Sequence, residues 1–185
     1  MEILTDRLKL REFLPEDWRA VQTYHKDPRY RRYHPGWRAT EAAARAFVQR
    51  FIEEQTHHPR TAYQFAIELL ENGRLIGNVG IRLRSLGRRQ PEARQADIGY
   101  ELDPRYWGKG YASEAARAVV SFGFEKLQLH RIWAECLAEN QASVRLLERL
   151  GMRLEGHLRE DDYFKGRWWD TLIYAILEDE WRAER

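Results

Sequence analysis

Three carboxylates and three glycines stand in one stretch, Asp97–Ser113, which reads D-I-G-Y-E-L-D-P-R-Y-W-G-K-G-Y-A-S. Asp97, Gly99 and Glu101 alternate with Ala96, Ile98, Tyr100 and Leu102, the period-two signature of a strand. Asp97 and Glu101 therefore share a face with Gly99 between them, roughly 13 Å apart at ~3.3 Å per residue, too far to act on one proton directly. Asp103-Pro104 breaks the strand, because proline lacks a ladder donor and fixes φ. Gly108 and Gly110 then bring bare backbone close to whatever sits above them, and a long amphipathic helix follows at once. Free amides at a helix start, fed by a glycine loop, make an anion site suited to phosphate. The stretch reads as a loop that holds a pyrophosphate, beside a strand that presents a reactive group.

Two other phosphate loops fail on these residues. A P-loop needs Gly five residues before Gly108 and Ser or Thr after the lysine, and those positions hold Asp103 and Gly110. The dinucleotide pattern G-x-G-x-x-G needs glycine at position 113, which is Ser113, and no clean βαβ repeat surrounds it. A G-x-G by itself is common turn punctuation.

The elements that must position this stretch follow from periodicity. Leu8–Phe13 alternates and reads as a first strand; Pro15-Glu-Asp-Trp opens a helix running to about His25. Residues 27–38 are irregular, with Pro35-Gly36 as a turn. Thr40 caps a second helix to about Thr56. Tyr63–Leu70 and Leu75–Leu83 are strands joined by Asn72-Gly73, a preferred hairpin dipeptide. A loop over 85–95 leads into the central strand, and the helix after the glycines runs from about Ala112 to Leu127 with an alanine and valine stripe. Arg131–Cys136 is a short strand, Asn140 an N-cap, and Gly151 the stop of the helix that follows. Strands at Leu154–Tyr163 and Thr171–Leu177 finish the chain, and the tail from Glu178 is short and charged. The order βααβββαβαββ gives a mixed sheet with helices on both faces, an α/β fold of the α+β kind.

Composition narrows the class. The 185 residues suffice for one well-buried domain, taken as residues 1–185. The formal net charge of +2 recruits no nucleic acid by a chain-wide field. The single cysteine, Cys136, forms no internal disulfide and fits a reducing cytoplasm, where it reads as a small apolar filler. Met1–Leu10 has no apolar core of a signal peptide, and no run approaches the ~20 apolar residues of a membrane span. His57-His58 lacks a third ligand at metal spacing, so no metal site is expected.

Several spaced motifs in one order carry a resemblance. They are Thr5-Asp-Arg-Leu-Lys-Leu-Arg11, Ile98-Gly-Tyr-Glu-Leu, Trp107-Gly-Lys-Gly-Tyr-Ala-Ser-Glu-Ala115, Glu139-Asn-Gln-Ala-Ser143, Leu150-Gly-Met152 and Tyr174-Ala-Ile-Leu with Glu180-Trp181. Along essentially its whole length the chain resembles the GNAT-superfamily N-acetyltransferases, on the branch of the RimJ/RimL ribosomal-protein N-terminal acetyltransferases. The resemblance implies the GNAT fold, with a central, mixed, largely antiparallel twisted sheet. It also implies transfer of acetyl from acetyl-CoA to a primary amine, by direct attack in a ternary complex without a metal. The implied acceptor is the N-terminal amine of a protein or peptide. A small-molecule amine (amino acid, polyamine or antibiotic) and a non-catalytic acyl-CoA-binding module are the alternatives. No membrane or nucleic-acid partner is implied, and a homodimer is left open.

The family's acetyl-CoA loop has the form Q/R-x-x-G-x-G/A. Trp107, Gly110 and Ala112 take its defined positions when the loop ends at the helix start; Arg105, Gly108 and Gly110 fit two residues earlier. The later register uses the amides that open the helix. The resemblance implies that Trp107, Gly108, Lys109, Gly110, Tyr111, Ala112 and Ser113 line the pyrophosphate, and that pantetheine pairs with the strand around Leu102. It further places Asn140 and Ser143 beside the pantetheine and sulfur. Where many members carry a tyrosine that protonates the leaving thiolate, this chain has Leu147, which leaves Ser143 as the candidate acid. The attacking amine must lose a proton, and Glu101, nearer the loop, is preferred over Asp97 as its acceptor. A backbone amide on the central strand can serve the oxyanion. Tyr33, His34, Trp37, Trp168 and Trp169 lie in segments that flank the acceptor cleft in the family. Arg82, Arg84, Arg88, Arg89 and Arg94 form a basic patch for the adenosine 3′-phosphate, an acidic partner or neither.

Overall fold

A computed structural model of the chain describes residues 1–34, 39–84 and 94–183. Its contacts divide it into two compact units, Met1–Gly80 with Tyr100–Ala118, and Ile81–Gly99 with Val119–Arg185.

The first unit opens with β1 (Glu2–Leu4) antiparallel to β2 (Leu8–Glu12), Ile3 opposite Leu10. The strand at residues 2–4 is absent from the sequence reading, because three residues are too few to show a period. A 3-10 turn at Pro15–Asp17 leads into α1 (Trp18–His25). The segment expected to be irregular contains a short helix, α2 (Pro28–Arg31), because the Asp27 carboxylate accepts the Arg29 N–H and Pro28 sits in the first turn. Pro35-Gly36 falls outside the described residues. Thr40 caps α3 (Glu41–Glu54) by accepting from the Ala43 N–H.

β3 (Ala62–Leu69) pairs with β2, Leu8 opposite Leu69. The turn to β4 (Leu75–Arg84) holds Gly73 at φ +69°, a conformation glycine adopts without strain. The core of this unit gathers Phe13, Trp18, Val21, Tyr24, Phe47 and Phe51. Phe13 stacks on Phe51 at 5.3 Å and meets Phe47 edge-on at 6.5 Å. That aromatic floor lies under α1 and fixes the helix end where the site begins.

The central strand, β5 (Gln95–Leu102), starts in the second unit and ends in the first. A 3-10 turn at Pro104–Tyr106 follows it, and α4 (Tyr111–Glu125) begins one residue before the expected start. The second unit continues with β6 (Arg131–Leu137), α5 (Gln141–Arg149), β7 (Arg153–Phe164) and β8 (Arg167–Leu177). β6 runs parallel to β5 over Gln95–Asp97, while β6–β8 and β7–β8 are antiparallel. Gly123 on α4 packs closely: a Cβ would come 2.7 Å from Ile132 Cδ1 and 2.8 Å from Ile81 Cδ1, so those side-chain ends would have to shift. The tail expected to be merely charged forms α6 (Glu178–Ala183), since Trp181 is buried and stacks on Phe124 at 5.9 Å. The strand order is β1-β2-β3-β4-β5-β6-β8-β7, a mixed and mostly antiparallel eight-stranded sheet. Among the described residues no helix is long and apolar enough to cross a membrane.

Candidate active site

Three elements of the first unit surround Glu101. α1 ends in Tyr24 and His25, β4 supplies Asn78, and β5 carries the carboxylate itself. His25 Nε2 lies 3.2 Å from Glu101 Oε2, the Asn78 amide donates to the same oxygen at 3.1 Å, and the Tyr24 hydroxyl donates at 3.4 Å. All three contacts fall on Oε2; Oε1 accepts no bond of regular geometry among the described residues. Among the described residues the buried Tyr30 hydroxyl has no hydrogen bond of regular geometry, yet it faces the Glu101 carboxyl, and burial, with the Glu101 charge behind it, holds its pKa above the ordinary phenol value.

Burial pushes the Glu101 carboxyl up, but the hydrogen bond and charge of His25, with the His34 charge behind them, outweigh it. The net result is a carboxyl below its ordinary value, ionised at neutral pH. Against an ionised carboxylate His25 must carry its proton on Nε2. Its ring is fully buried, stacked on Tyr30 at 4.7 Å and edge-on to Phe47 at 5.3 Å. Tyr30 in turn stacks on His34 at 4.2 Å.

Asn78 is aimed by a second amide. Gln64 Nε2 donates to Asn78 Oδ1 at 2.6 Å, which turns the Asn78 amide nitrogen toward Tyr24 and Glu101. Two glycines flanking Asn78 make this possible. A Cβ on Gly77 would lie 2.2 Å from the Glu101 carbonyl oxygen, and one on Gly80 would lie 2.0 Å from Gln64 Oε1. The sequence reading named none of Tyr24, His25, Gln64 or Asn78 as site residues. The available signal was Gly77-Asn-Val-Gly80, since two glycines inside one strand mark close approach.

The glycine loop follows Glu101 in the same unit. Gly108 and Gly110 have φ of +75° and +82°, a region costly for other residues. A Cβ on Gly108 would meet nothing within 4 Å, so the space above it is open. The Trp107 indole donates to the Leu102 carbonyl at 2.8 Å, tying the loop back to its strand. The Gly110 carbonyl accepts the first helical bond, from the Glu114 N–H at 3.0 Å. The amides of Tyr111, Ala112 and Ser113 therefore have no carbonyl within the helix to serve.

The second unit holds the other sequence candidates. Asp97 is buried, and its two oxygens are taken separately, Oδ2 by Arg82 and Oδ1 by Arg84. The Arg82 guanidinium also lies over Gly99, where a Cβ would come 3.3 Å from Nη2. Asn140 accepts from the Ser143 N–H at 3.3 Å and caps α5. Ser143 is buried and its side chain bonds Cys136, whose thiol burial pushes up to about 11 against that bond. Leu147 is fully buried. Trp168 is exposed and meets Tyr163 at 5.1 Å, whereas Trp169 is buried with its indole donating to the Phe164 carbonyl. Tyr33 is half-buried in the first unit. Trp37, Arg88 and Arg89 lie outside the described residues. Among the described residues no group of three or more His, Cys, Asp or Glu side chains is arranged to hold a metal ion.

Residues 7–153 match the family described as Acetyltransferase (GNAT) domain. The uncharacterized N-acetyltransferase YnaD of Bacillus subtilis is 39% identical over 181 residues, covering 98% of this chain and 99% of YnaD. A GNAT-family acetyltransferase structure from Bacillus anthracis superposes with a TM-score of 0.82 at 35% identity, over 97% of this chain and 99% of that one. Two more distant structures share the fold with different acceptors in their names. The ribosomal-protein-S5-alanine acetyltransferase of Vibrio fischeri has a TM-score of 0.81 at 22% identity, with 98% of each chain covered. The spermidine N-acetyltransferase of Vibrio cholerae, solved with CoA and spermine, has a TM-score of 0.79 at 23% identity, covering 96% and 99%.

Proposed function

This chain belongs to the GNAT acetyltransferase family and is an acetyl-CoA-dependent N-acetyltransferase, and from that premise we propose that it acetylates the N-terminal amine of a protein or peptide in the cytoplasm. The observation that carries the reading is the junction from strand to glycine loop to helix, with the Glu101 carboxylate on the strand side of it. The loop fits the cosubstrate. Two glycines at positive φ leave backbone exposed, the space over Gly108 is open, and three helix-opening amides lack helical partners. Trp107, Gly108, Lys109, Gly110, Tyr111, Ala112 and Ser113 would hold the pyrophosphate, and Leu102 and Asn140 the pantetheine. Bound acetyl-CoA supplies the activated acetyl group as a thioester.

The chain's own residues manage protons. Glu101 draws the acceptor's ammonium and takes its proton on Oε1, the oxygen that accepts none of the bonds by which His25, Asn78 and Tyr24 hold Oε2. A fixed carboxylate is worth more here than a mobile one, since its donors need not reorganise. Ser143 gives its hydroxyl proton to the departing thiolate and recovers one from water, so the serine is unchanged at the end of the step. Tyr33, Trp37 and Trp168 are proposed contacts of the acceptor. A peptide is favoured over a polyamine by the resemblance to the RimJ/RimL branch that the spaced motifs carry.

The test is CoA thiol release by the purified chain with acetyl-CoA and three acceptors: a peptide with a free N-terminus, the same peptide blocked, and spermidine. Release with the free peptide alone is the expected result. Release with spermidine alone would overturn the acceptor, and release with neither, in a protein stabilised by acetyl-CoA, would favour a binding module.

A further inference from the structure

The segment Thr5-Asp-Arg7 lies far from the glycine loop in sequence but not in space. The Arg7 Nε donates to Glu114 Oε2 at 2.7 Å, and Nη2 reaches the same oxygen at 2.6 Å. The Arg7 backbone N–H and the Thr5 hydroxyl both donate to Glu114 Oε1, at 2.9 and 2.6 Å. Glu114 thus uses both oxygens to bind the chain start to the first turn of α4. A third nitrogen of the fork, Nη1, donates to the Lys109 carbonyl at 3.0 Å. The guanidinium also lies 4.5 Å over the Tyr111 ring, so its plane is fixed from a further side.

Lys109 sits between the two glycines at positive φ, the segment with the widest choice of backbone conformations. A trans peptide points its C=O and N–H in opposite directions. Fixing the Lys109 carbonyl on Arg7 therefore fixes the Gly110 N–H on the far side. We infer that Arg7 is a positioning residue for the cosubstrate, turning the Gly110 amide toward the pyrophosphate through the Lys109 carbonyl. The inference rests on the reading that the glycine loop holds that pyrophosphate. Only arginine's rigid fork can span a carboxylate and a carbonyl together, so lysine is not an equivalent. Arg7 is half-exposed, and an ion pair in that setting adds little to global stability. Its effect belongs to the loop.

The test uses the full chain, with calorimetry of CoA binding, melting of the ligand-free protein, and acetyl transfer at saturating acetyl-CoA. Arg7→Ala and Arg7→Lys should each raise the CoA Kd about tenfold, equivalent to about 1.4 kcal/mol. The ligand-free melting temperature and kcat should stay near wild type, so that KM rises alone. Glu114→Gln should act alike, and the double variant Arg7→Ala/Glu114→Gln should be no worse than either single one, because the pair works as a unit. Gly110→Val separates the two readings. If it abolishes CoA binding while Arg7→Ala leaves affinity unchanged, the inference fails and the loop reading stands. If neither changes affinity, the loop reading itself is wrong. A fall in melting temperature and kcat along with affinity in Arg7→Ala, or additive losses in the double variant, would reduce Arg7 to a structural contact.

Discussion

Asp97 meets two guanidinium groups, whereas Glu101, four residues along the same strand, meets an imidazole, an amide and a phenol. Both oxygens of Asp97 are occupied, whereas the hydrogen bonds that His25, Asn78 and Tyr24 make to Glu101 all fall on Oε2. The side chain of Asp97 is 5% exposed and that of Glu101 15%. The first arrangement saturates a carboxylate and leaves it nothing to accept. The second orients one and leaves it able to receive a proton. Alternation along a strand gives the two residues equal standing, and only what neighbouring elements bring to them separates their roles.

The largest effect should come from Glu101→Gln. The amide fills the same volume and can still meet Asn78 and Tyr24, yet it cannot take a proton. We expect kcat/KM to fall by roughly 10²–10⁴-fold, as for a positioned base, with acetyl-CoA affinity and fold kept. Steady-state kinetics beside a CoA titration checks both halves. An equal loss in affinity would mean that the residue shapes the cosubstrate site instead.

Gly110→Val comes next. A side chain at φ +82° is strained by about 1–3 kcal/mol, and its Cβ would press on Arg7 Nη2 at 3.3 Å. CoA affinity should drop at least about tenfold while the melting temperature of the free protein falls by only a few degrees. Calorimetry that finds CoA affinity unchanged would move the phosphate site out of this loop.

Ser143→Ala should lower kcat several-fold at unchanged CoA affinity if the hydroxyl protonates sulfur, and weaken affinity at unchanged kcat if it only touches pantetheine. Full activity with full affinity would leave Ser143 as a first-turn residue of a capped helix.

Asp97→Asn is expected to have the smallest effect on rate, within a few-fold, and a visible one on stability. It leaves Arg82 and Arg84 without their shared charge. Both are about half-exposed, so water screens them and the cost stays near about 1–2 kcal/mol. Thermal melts should show a fall of a few degrees. A rate loss larger than that of Glu101→Gln would reverse the assignment of the two carboxylates.

The glycine loop and its helix were legible because every signal sits within one short run of sequence. The Asn140 cap and the Gly151 stop were legible for the same reason, and both hold: Gly151 has φ +78°. The acetyltransferase assignment was legible as well, through several motifs in one order, and the family match spans residues 7–153. The partners of Glu101 were not. Tyr24 and His25 come from a helix more than seventy positions earlier, and in the sequence they read as the last turn of an amphipathic helix. The role of Thr5 and Arg7 stayed hidden although the motif was noticed, since nothing local shows which carboxylate a fork will find. Trp181 read as part of a charged tail because its neighbours are acidic, and only its stacking on Phe124 makes it core.

The most direct test of the account is the pH dependence of kcat/KM for wild type, Glu101→Gln and Asp97→Asn with a peptide acceptor. Burial raises the Glu101 carboxyl, but His25 more than offsets it, so the group sits below its ordinary 4.5 and is already ionised across the working range. Wild type should therefore keep kcat/KM below the pKa of the acceptor's α-amine, near about 7.7–8.0, where Glu101→Gln should show a rising limb that follows that amine. The deficit of Glu101→Gln should be greatest below that limb and shrink above it, where the amine arrives neutral, while Asp97→Asn keeps the wild-type shape. A Glu101→Gln deficit that stays constant with pH, or a pH-dependent loss that appears in Asp97→Asn instead, would contradict the assignment of Glu101 as the proton acceptor.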